Sequence, residues 1–167
     1  MLSLSKKADY ALLALSYLAH SEAERAVNTK EIAEQYAIPV ELLAKILQRL
    51  ARAQIVVSTP GPTGGYRLAR AAETISIGSV VAAIDGAPAI THCMKTAAHA
   101  CGQRDRCTVR LPLERINARI LQMLELISIA EISRDETPQT DIAVRLHPSR
   151  PTERIQPMER AKTTASS

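Results

Sequence analysis

The chain has no tryptophan and no phenylalanine, and its four tyrosines bring aromatics to only 2% of 167 residues. A core without large rings must be aliphatic, and 46% hydrophobic content supplies enough Leu, Ile, Val and Ala to build one. Such cores suit packed helices, so a mainly α fold with a small β element is expected. Long apolar runs are also lacking. The start, "MLSLSKKADYALLALSYLAH", pairs a basic end with an apolar stretch, yet Asp9 and His20 interrupt it and no small-residue cleavage site follows. It is too short and too polar to span a membrane, and without an export signal the expected compartment is the cytoplasm, where thiols stay reduced. Histidines number only four, and no nucleophile with a partnered base can be picked out, which argues against a hydrolytic enzyme. Cysteine is scarce too: Cys93, Cys101 and Cys107 are the only three, all within "HCMKTAAHACGQRDRC". An odd cluster in a reducing compartment favours metal or redox chemistry over a structural disulfide. The net charge of +4 is spread along the chain, so it permits a nucleic-acid partner without demanding one.

What is present is periodic. Leu4, Ala8, Ala11, Leu15 and Leu18 recur at spacings of three and four, predicting a helix over residues 5–20. Asn28 stands three residues before Glu31, the spacing of a reciprocal N-cap, and "TKEIAEQYA" gives a second, short helix. Pro39 suits the first turn of a third, "PVELLAKILQRLARAQ". That helix buries Val40, Leu43, Ile46, Leu47 and Leu50 and leaves Lys45, Gln48, Arg49 and Arg52 on its other side. Two helices across a tight turn, the second with a basic outer face, form a helix-turn-helix pattern. Next, "IVVSTPGPTGGYRLAR" has two extended runs, 55–58 and 65–69, around a Gly/Pro loop, which predicts a β-hairpin wing. Ser76 caps "IGSVVAAID" and Gly86 ends it.

The cysteines then fall on an aperiodic loop of about twenty residues, a length that is usually functional or disordered in a compact domain. From Thr108 the chain turns helical again, with Pro112 in the first turn. Leu113, Ile116, Ile120, Met123, Ile127 and Ala130 follow a heptad, and Leu121, Leu124 and Leu126 widen the apolar band, so a homodimer is expected. Beyond Arg134, four of the nine prolines, mixed charge and no period predict a disordered tail. The expected layout is a winged helix-turn-helix domain over 1–85, a cysteine loop over 86–107, a dimerisation helix over 108–133 and the tail over 134–167.

These residues resemble a known family, the bacterial winged-helix iron-sulfur regulators that contain IscR, NsrR and RirA. The matching motifs are "LSKKADYALLAL", "IPVELLAKILQRLARA", "GPTGGYRLAR", "SIGSVVAAIDG" and the cysteine triplet before a long helix, spanning roughly residues 2–133. The resemblance implies a dimer whose long helices cross, with a cluster held by the cysteine loop near the partner's DNA-binding domain. The implied partner is a double-stranded DNA operator. Candidate contacts are Ser5, Lys6, Asn28, Thr29, Val40, Lys45, Gln48, Arg49, Arg52, Gly64, Gly65 and Tyr66. Val40 thus belongs to both the buried and the DNA-facing sets. Gly64 and Gly65 provide a tight turn and close backbone approach to phosphates, and Tyr66 serves as wing packing or as a contact. Pro60 replaces an arginine frequent in the family's wing, and Ala44 a glutamate of IscR, so the operator of IscR does not carry over.

Thiolates are soft ligands suited to clusters and zinc. Spacers of seven and five residues between the three cysteines are longer than zinc-ribbon hooks, which favours an iron-sulfur cluster. One ligand position remains. In NsrR-like members it is filled from helix 1 of the other subunit by an aspartate, and Asp9, followed by Tyr10-Ala11, occupies that place. His92, His99 and Asp105 compete by proximity. Arg110 stands where IscR has its histidine ligand, and Leu13 where other members add one. Three cysteines and a carboxylate favour 4Fe-4S, with 2Fe-2S possible. The function expected is a cluster-sensing repressor of iron-sulfur assembly or iron homeostasis genes. The alternatives are a nitric-oxide-sensing repressor with the same cluster, a cluster-free cysteine redox switch, and a small electron-transfer or cluster-carrier protein, which would need no wing or basic helix.

Overall fold

Ser5 opens the first helix: its backbone is extended and its hydroxyl accepts from the Ala8 amide at 3.2 Å, capping α1, Lys6–His20. The computed structural model describes residues 3–21, 25–61, 64–95, 102–103 and 106–134, with His92 and Lys95 described by backbone alone. These residues fall within one unit, Met1–Asp135, and the expected tail, along with Cys101, His99 and Asp105, lies outside the described residues. Along α1, Ala8, Ala11, Ala14 and Leu15 are fully buried and Leu18 nearly so. Alanine methyls permit close approach, and α1 packs against the third, fourth and last of the described helices. Leu4, expected in this stripe, is 40% exposed because it precedes the cap and never joins the helical face.

The second helix, α2, spans Thr29–Gln35, and the third, α3, spans Val40–Arg52. Asn28 caps α2 by accepting from the Lys30 amide at 2.8 Å, but the reciprocal half of the expected capping pair does not form. Glu31 instead accepts from the Tyr17 hydroxyl at 2.9 Å and from Arg25 Nη2 at 3.0 Å through both carboxylate oxygens. A guanidinium is the stronger partner for a carboxylate, so it outcompetes the cap amide. Tyr17 also meets Tyr36 edge to face, at 6.1 Å between ring centres. The hydrogen bond to Glu31, then burial and the Glu31 charge, hold the Tyr17 phenol above its ordinary pKa. These contacts tie α1 to both ends of α2.

Both helices of the pair end in the same way. After α2, the Ile38 amide reaches the Ala33 carbonyl at 2.9 Å and the Ala37 amide reaches Glu34; after α3, Ile55 reaches Leu50 at 2.9 Å and Gln54 reaches Ala51. This is the Schellman arrangement, and it places Ala37 (φ 51°) and Gln54 (φ 56°) in the left-handed region that usually takes glycine. The buried Ile38 and Ile55 that follow add to the core beneath each turn.

Strands β1, Val56–Thr59, and β2, Gly65–Leu68, pair antiparallel with Val56 opposite Leu68 and Thr59 opposite Gly65. Val27, just ahead of α2, adds a rung on the other edge of β2 by exchanging two backbone hydrogen bonds of 2.8 Å with Tyr66. A 3-10 turn at Ala72–Thr74 leads to α4, Ile77–Asp85, which Ser76 caps through the Ser79 amide and Gly86 ends at φ 82°. A short helix, α5 (His92–Lys95), then appears where the sequence predicted only loop; four residues leave no room for a period to show.

The long helix expected over 108–133 is two. Helix α6 covers Arg110–Leu126, with Pro112 in its first turn; Ile127 is extended, and Ser128 caps α7, Ile129–Ser133, by accepting from the Glu131 amide at 3.1 Å. The break comes from backbone pairing. The Ile77 amide donates to the Ile127 carbonyl at 2.9 Å and the Ile129 amide to the Ile75 carbonyl at 2.8 Å, while Ile129 is fully buried in the same core as Leu15 and Leu43. Ile127 therefore leaves the helical heptad that Leu113, Ile116, Ile120 and Met123 share on α6. No residue of α6 is buried, and Leu111, Ile116, Met123 and Leu126 are about half exposed or more. Helix α6 leans on α4, where Glu125 Oε2 accepts from Ser76 Oγ at 2.5 Å and a Cβ on Gly78 would strike the Glu125 side chain. Among the described residues no helix is long and apolar enough to cross a membrane.

Relieving the left-handed strain should stabilise the helix pair. Ala37→Gly and Gln54→Gly are each expected to add about 0.5–1 kcal/mol in urea unfolding, the gain being reduced by the extra freedom of the unfolded chain. Gly65→Ala should do the opposite and cost about 1–3 kcal/mol by overpacking, because its Cβ would meet the Val27 backbone.

Candidate nucleic-acid interface and cysteine segment

On α3, Leu43, Ile46, Leu47 and Leu50 are buried, and this fixes which face turns outward. Lys45, Gln48 and Arg52, at spacings of three and four, are all exposed on that outer face. Val40 is 45% exposed, which corrects its expected burial: it stands in the first turn beside Pro39, before the apolar face begins at Leu43. Its place in the outward set is unaffected. Glu41 is also exposed in this first turn, where a negative charge suits the helix N-terminus. Arg49 differs from its neighbours. It lies at the flank of the exposed face, and its Nη1 donates to the Ile84 carbonyl on α4 at 3.0 Å.

The wing and the start of α2 are joined through the Val27–Tyr66 rung, which brings Asn28 and Thr29 beside Gly65 and Tyr66. The two glycines have a reason internal to the fold. A Cβ on Gly65 would collide with the Val27 carbonyl, and one on Gly64 with the Thr59 carbonyl and with Gly61 O at 2.8 Å. Tyr66 is half-buried and packs against the core. Lys6 is exposed in the first turn of α1, whereas the Ser5 hydroxyl is occupied, donating to Asp85 Oδ1 at 2.6 Å. Arg67 and Arg70, both exposed, line with Arg25 a polar cavity of about 390 Å3 between the wing and the end of α1. Neither Arg67 nor Arg70 is among the expected contacts, although their position either side of "LA" after the Gly-Gly-Tyr turn is a usable signal.

Cys93 is exposed on α5, with Thr91 Oγ1 3.3 Å from its Sγ, and Cys107 is half-buried just before α6. Both are free thiols. The segment is anchored at its start, where Asn117 Oδ1 of α6 accepts from the Ile90 amide at 3.0 Å. Asp9 is exposed in the first turn of α1, and none of the described hydrogen bonds or ion pairs uses its carboxylate. Arg110 pairs with Glu114 at 3.4 Å. Thiols are the soft ligands that a soft metal centre takes, but among the described residues no three His, Cys, Asp or Glu side chains stand together as a metal site.

A family model described as an iron-dependent transcriptional regulator, Rrf2, matches residues 4–135. The chain belongs to the Rrf2 family. The transcriptional regulator IscR of Sodalis glossinidius is 31% identical over 133 residues, 80% of this chain and 79% of that one. The regulator NsrR of Oceanobacillus iheyensis is 27% identical over 135 residues, 81% of this chain and 92% of that one. Among solved structures, CymR, the global cysteine regulator of B. subtilis, has the same fold with a TM-score of 0.63 at 22% identity, covering 80% of this chain and 97% of that one. The resemblance drawn from the motifs and the mainly helical winged fold both hold. As a member of the Rrf2 family the chain is a transcriptional regulator and not an enzyme.

If the outer face of α3 contacts a duplex backbone, Lys45→Ala and Arg52→Ala should each weaken binding about five- to tenfold. Each should also lower the slope of log K against log salt by about one. Fluorescence anisotropy of a labelled duplex across a salt series measures both.

Proposed function

We propose that this Rrf2 chain is a dimeric, iron-sulfur-cluster-sensing repressor that acts in the cytoplasm on genes of iron-sulfur assembly or iron homeostasis. The observation that carries this reading is the placement of all three cysteines between α4 and α6 of a family described as iron-dependent. Cys93, Cys101 and Cys107 would supply three thiolates, and Asp9 of the partner subunit the fourth, harder donor, which suits 4Fe-4S better than 2Fe-2S. A bound cluster supplies a centre that iron supply, oxygen or nitric oxide can damage; the chain's own residues hold it and read its presence. Thr91 Oγ1 stands within hydrogen-bonding reach of Cys93 Sγ, and Asn117 fixes where the segment begins. Duplex recognition falls to Val40, Lys45, Gln48 and Arg52 on α3, to Asn28 and Thr29 at α2, and to the wing. The exposed Leu111, Ile116 and Met123 of α6 support burial against a second copy, since a helix this apolar does not face water along its length.

Two observations favour variants of this reading. The likeness to NsrR and the carboxylate at Asp9 favour nitric oxide as the signal. The two free thiols, one exposed, favour a cluster-free switch in which two cysteines pair on oxidation.

Anaerobic purification should yield a brown protein with visible charge-transfer absorption and the mass of a dimer. Asp9→Ala should keep the dimer but shift the spectrum and hasten cluster loss; unchanged spectrum and lifetime exclude Asp9 as ligand. A colourless protein that resists reconstitution with iron and sulfide, yet changes DNA affinity with dithiothreitol, establishes the thiol switch instead. Operator release at stoichiometric nitric oxide, but not on iron chelation, establishes the nitric-oxide sensor.

A further inference from the structure

The last turn of α4 is gripped from two sides. Its final carbonyls have no partners within the helix, and one of them, Ile84 O, accepts from Arg49 Nη1 of α3 at 3.0 Å. The next side chain, Asp85, accepts from Ser5, the N-cap of α1, through the hydroxyl at 2.6 Å and the backbone amide at 3.2 Å. One residue further, Gly86 turns the chain at φ 82° into the stretch that leads to Cys93. Ile84 is buried, so this turn is seated in the core and does not drift independently of it.

We propose that the C-terminal turn of α4 is the joint that transmits the state of the cysteine segment to the DNA-reading face, and that Arg49 is a positioning residue acting through Ile84. The proposal rests on the function argued above. Sequence spacing groups Arg49 with Lys45, Gln48 and Arg52, but it alone of the four donates, through Nη1, to a helix C-terminus, where a cation is favoured. Any shift at Gly86 displaces Ile84 and Asp85 together. Arg49 carries that displacement to the last turn of α3, and Ser5 carries it to the first turn of α1, which bears Lys6 and Asp9. Both faces assigned to DNA therefore respond to one turn of helix. Arg49 and Ser5 act on the duplex only by setting where α3 and α1 lie.

The test compares wild type, Arg49→Met, Arg49→Lys and Asp85→Ala, each cluster-loaded and metal-free. It measures operator affinity across a salt series, with thermal unfolding of every sample. Arg49→Met is expected to keep the salt slope of wild type while the affinity ratio between the two forms falls by about fivefold or more toward one. Arg49→Lys, whose ammonium still donates to a carbonyl, should recover most of the ratio, and Asp85→Ala should lower it. A salt slope reduced by about one with the ratio intact makes Arg49 a phosphate contact and overturns the joint. Wild-type behaviour in both quantities also overturns it. Should Arg49→Met fail to fold, Asp85→Ala and Arg49→Lys decide, and an unchanged ratio in Asp85→Ala refutes the proposal. A wild-type protein that binds no duplex, or binds equally in both forms, overturns the functional reading itself and the joint with it.

Discussion

Helices approach one another only as closely as their contact side chains allow, and along α1 those side chains are Ala8, Ala11 and Ala14, all fully buried. A chain without tryptophan or phenylalanine has no large ring to bridge a gap, so α3, α4 and α7 have to close directly onto this surface. The remaining packing follows from that closeness. Leu43, Ile46, Leu47 and Leu50 turn α3 inward, which leaves Lys45, Gln48 and Arg52 no option but the outside. A larger residue at any of the three alanines would push apart elements that share a single core.

The elements that present the outward residues are held by specific polar contacts rather than by bulk. Glu31 gathers Tyr17 and Arg25, fixing α2 against α1, while Val27 and Tyr66 lace the wing to the start of α2. Because Gly65 lies against the Val27 backbone, the wing cannot swing out without parting that rung. The two left-handed residues, Ala37 and Gln54, mark where local preference yields to the need to turn sharply after each helix of the pair.

Much of this was legible in the sequence. The caps at Ser76 and Asn28, the stop at Gly86, the hairpin and the buried stripe of α1 follow from rules that operate over three or four residues. What escaped depended on partners distant in the chain. The heptad suggested helix through Ala130, but nothing local reveals that Ile127 and Ser128 pair with residues 75–77. Glu31 had the right spacing for a cap and a better partner in Arg25. The spacing of Arg49 within α3 gave no hint that its Nη1 donates to the Ile84 carbonyl at the end of α4. The candidate ligands divide likewise: the spacing of three cysteines can be read locally, but the neighbours of Asp9 in an assembly cannot.

The return of the chain at Ser128 gives the stretch from Gly86 to Ile127 a particular topology. It leaves the core at one end of α4 and re-enters at the other, beside Ser76, so both of its feet stand on the same helix. Between those feet α6 lies along α4, and Asn117 of α6 accepts from the Ile90 amide, so the described parts of the stretch stay close to the helix that anchors it. Residues added or removed between Lys95 and Arg106 would leave both anchor points, the turn at Gly86 and the pairing of Ser76 with Ser128, as they are.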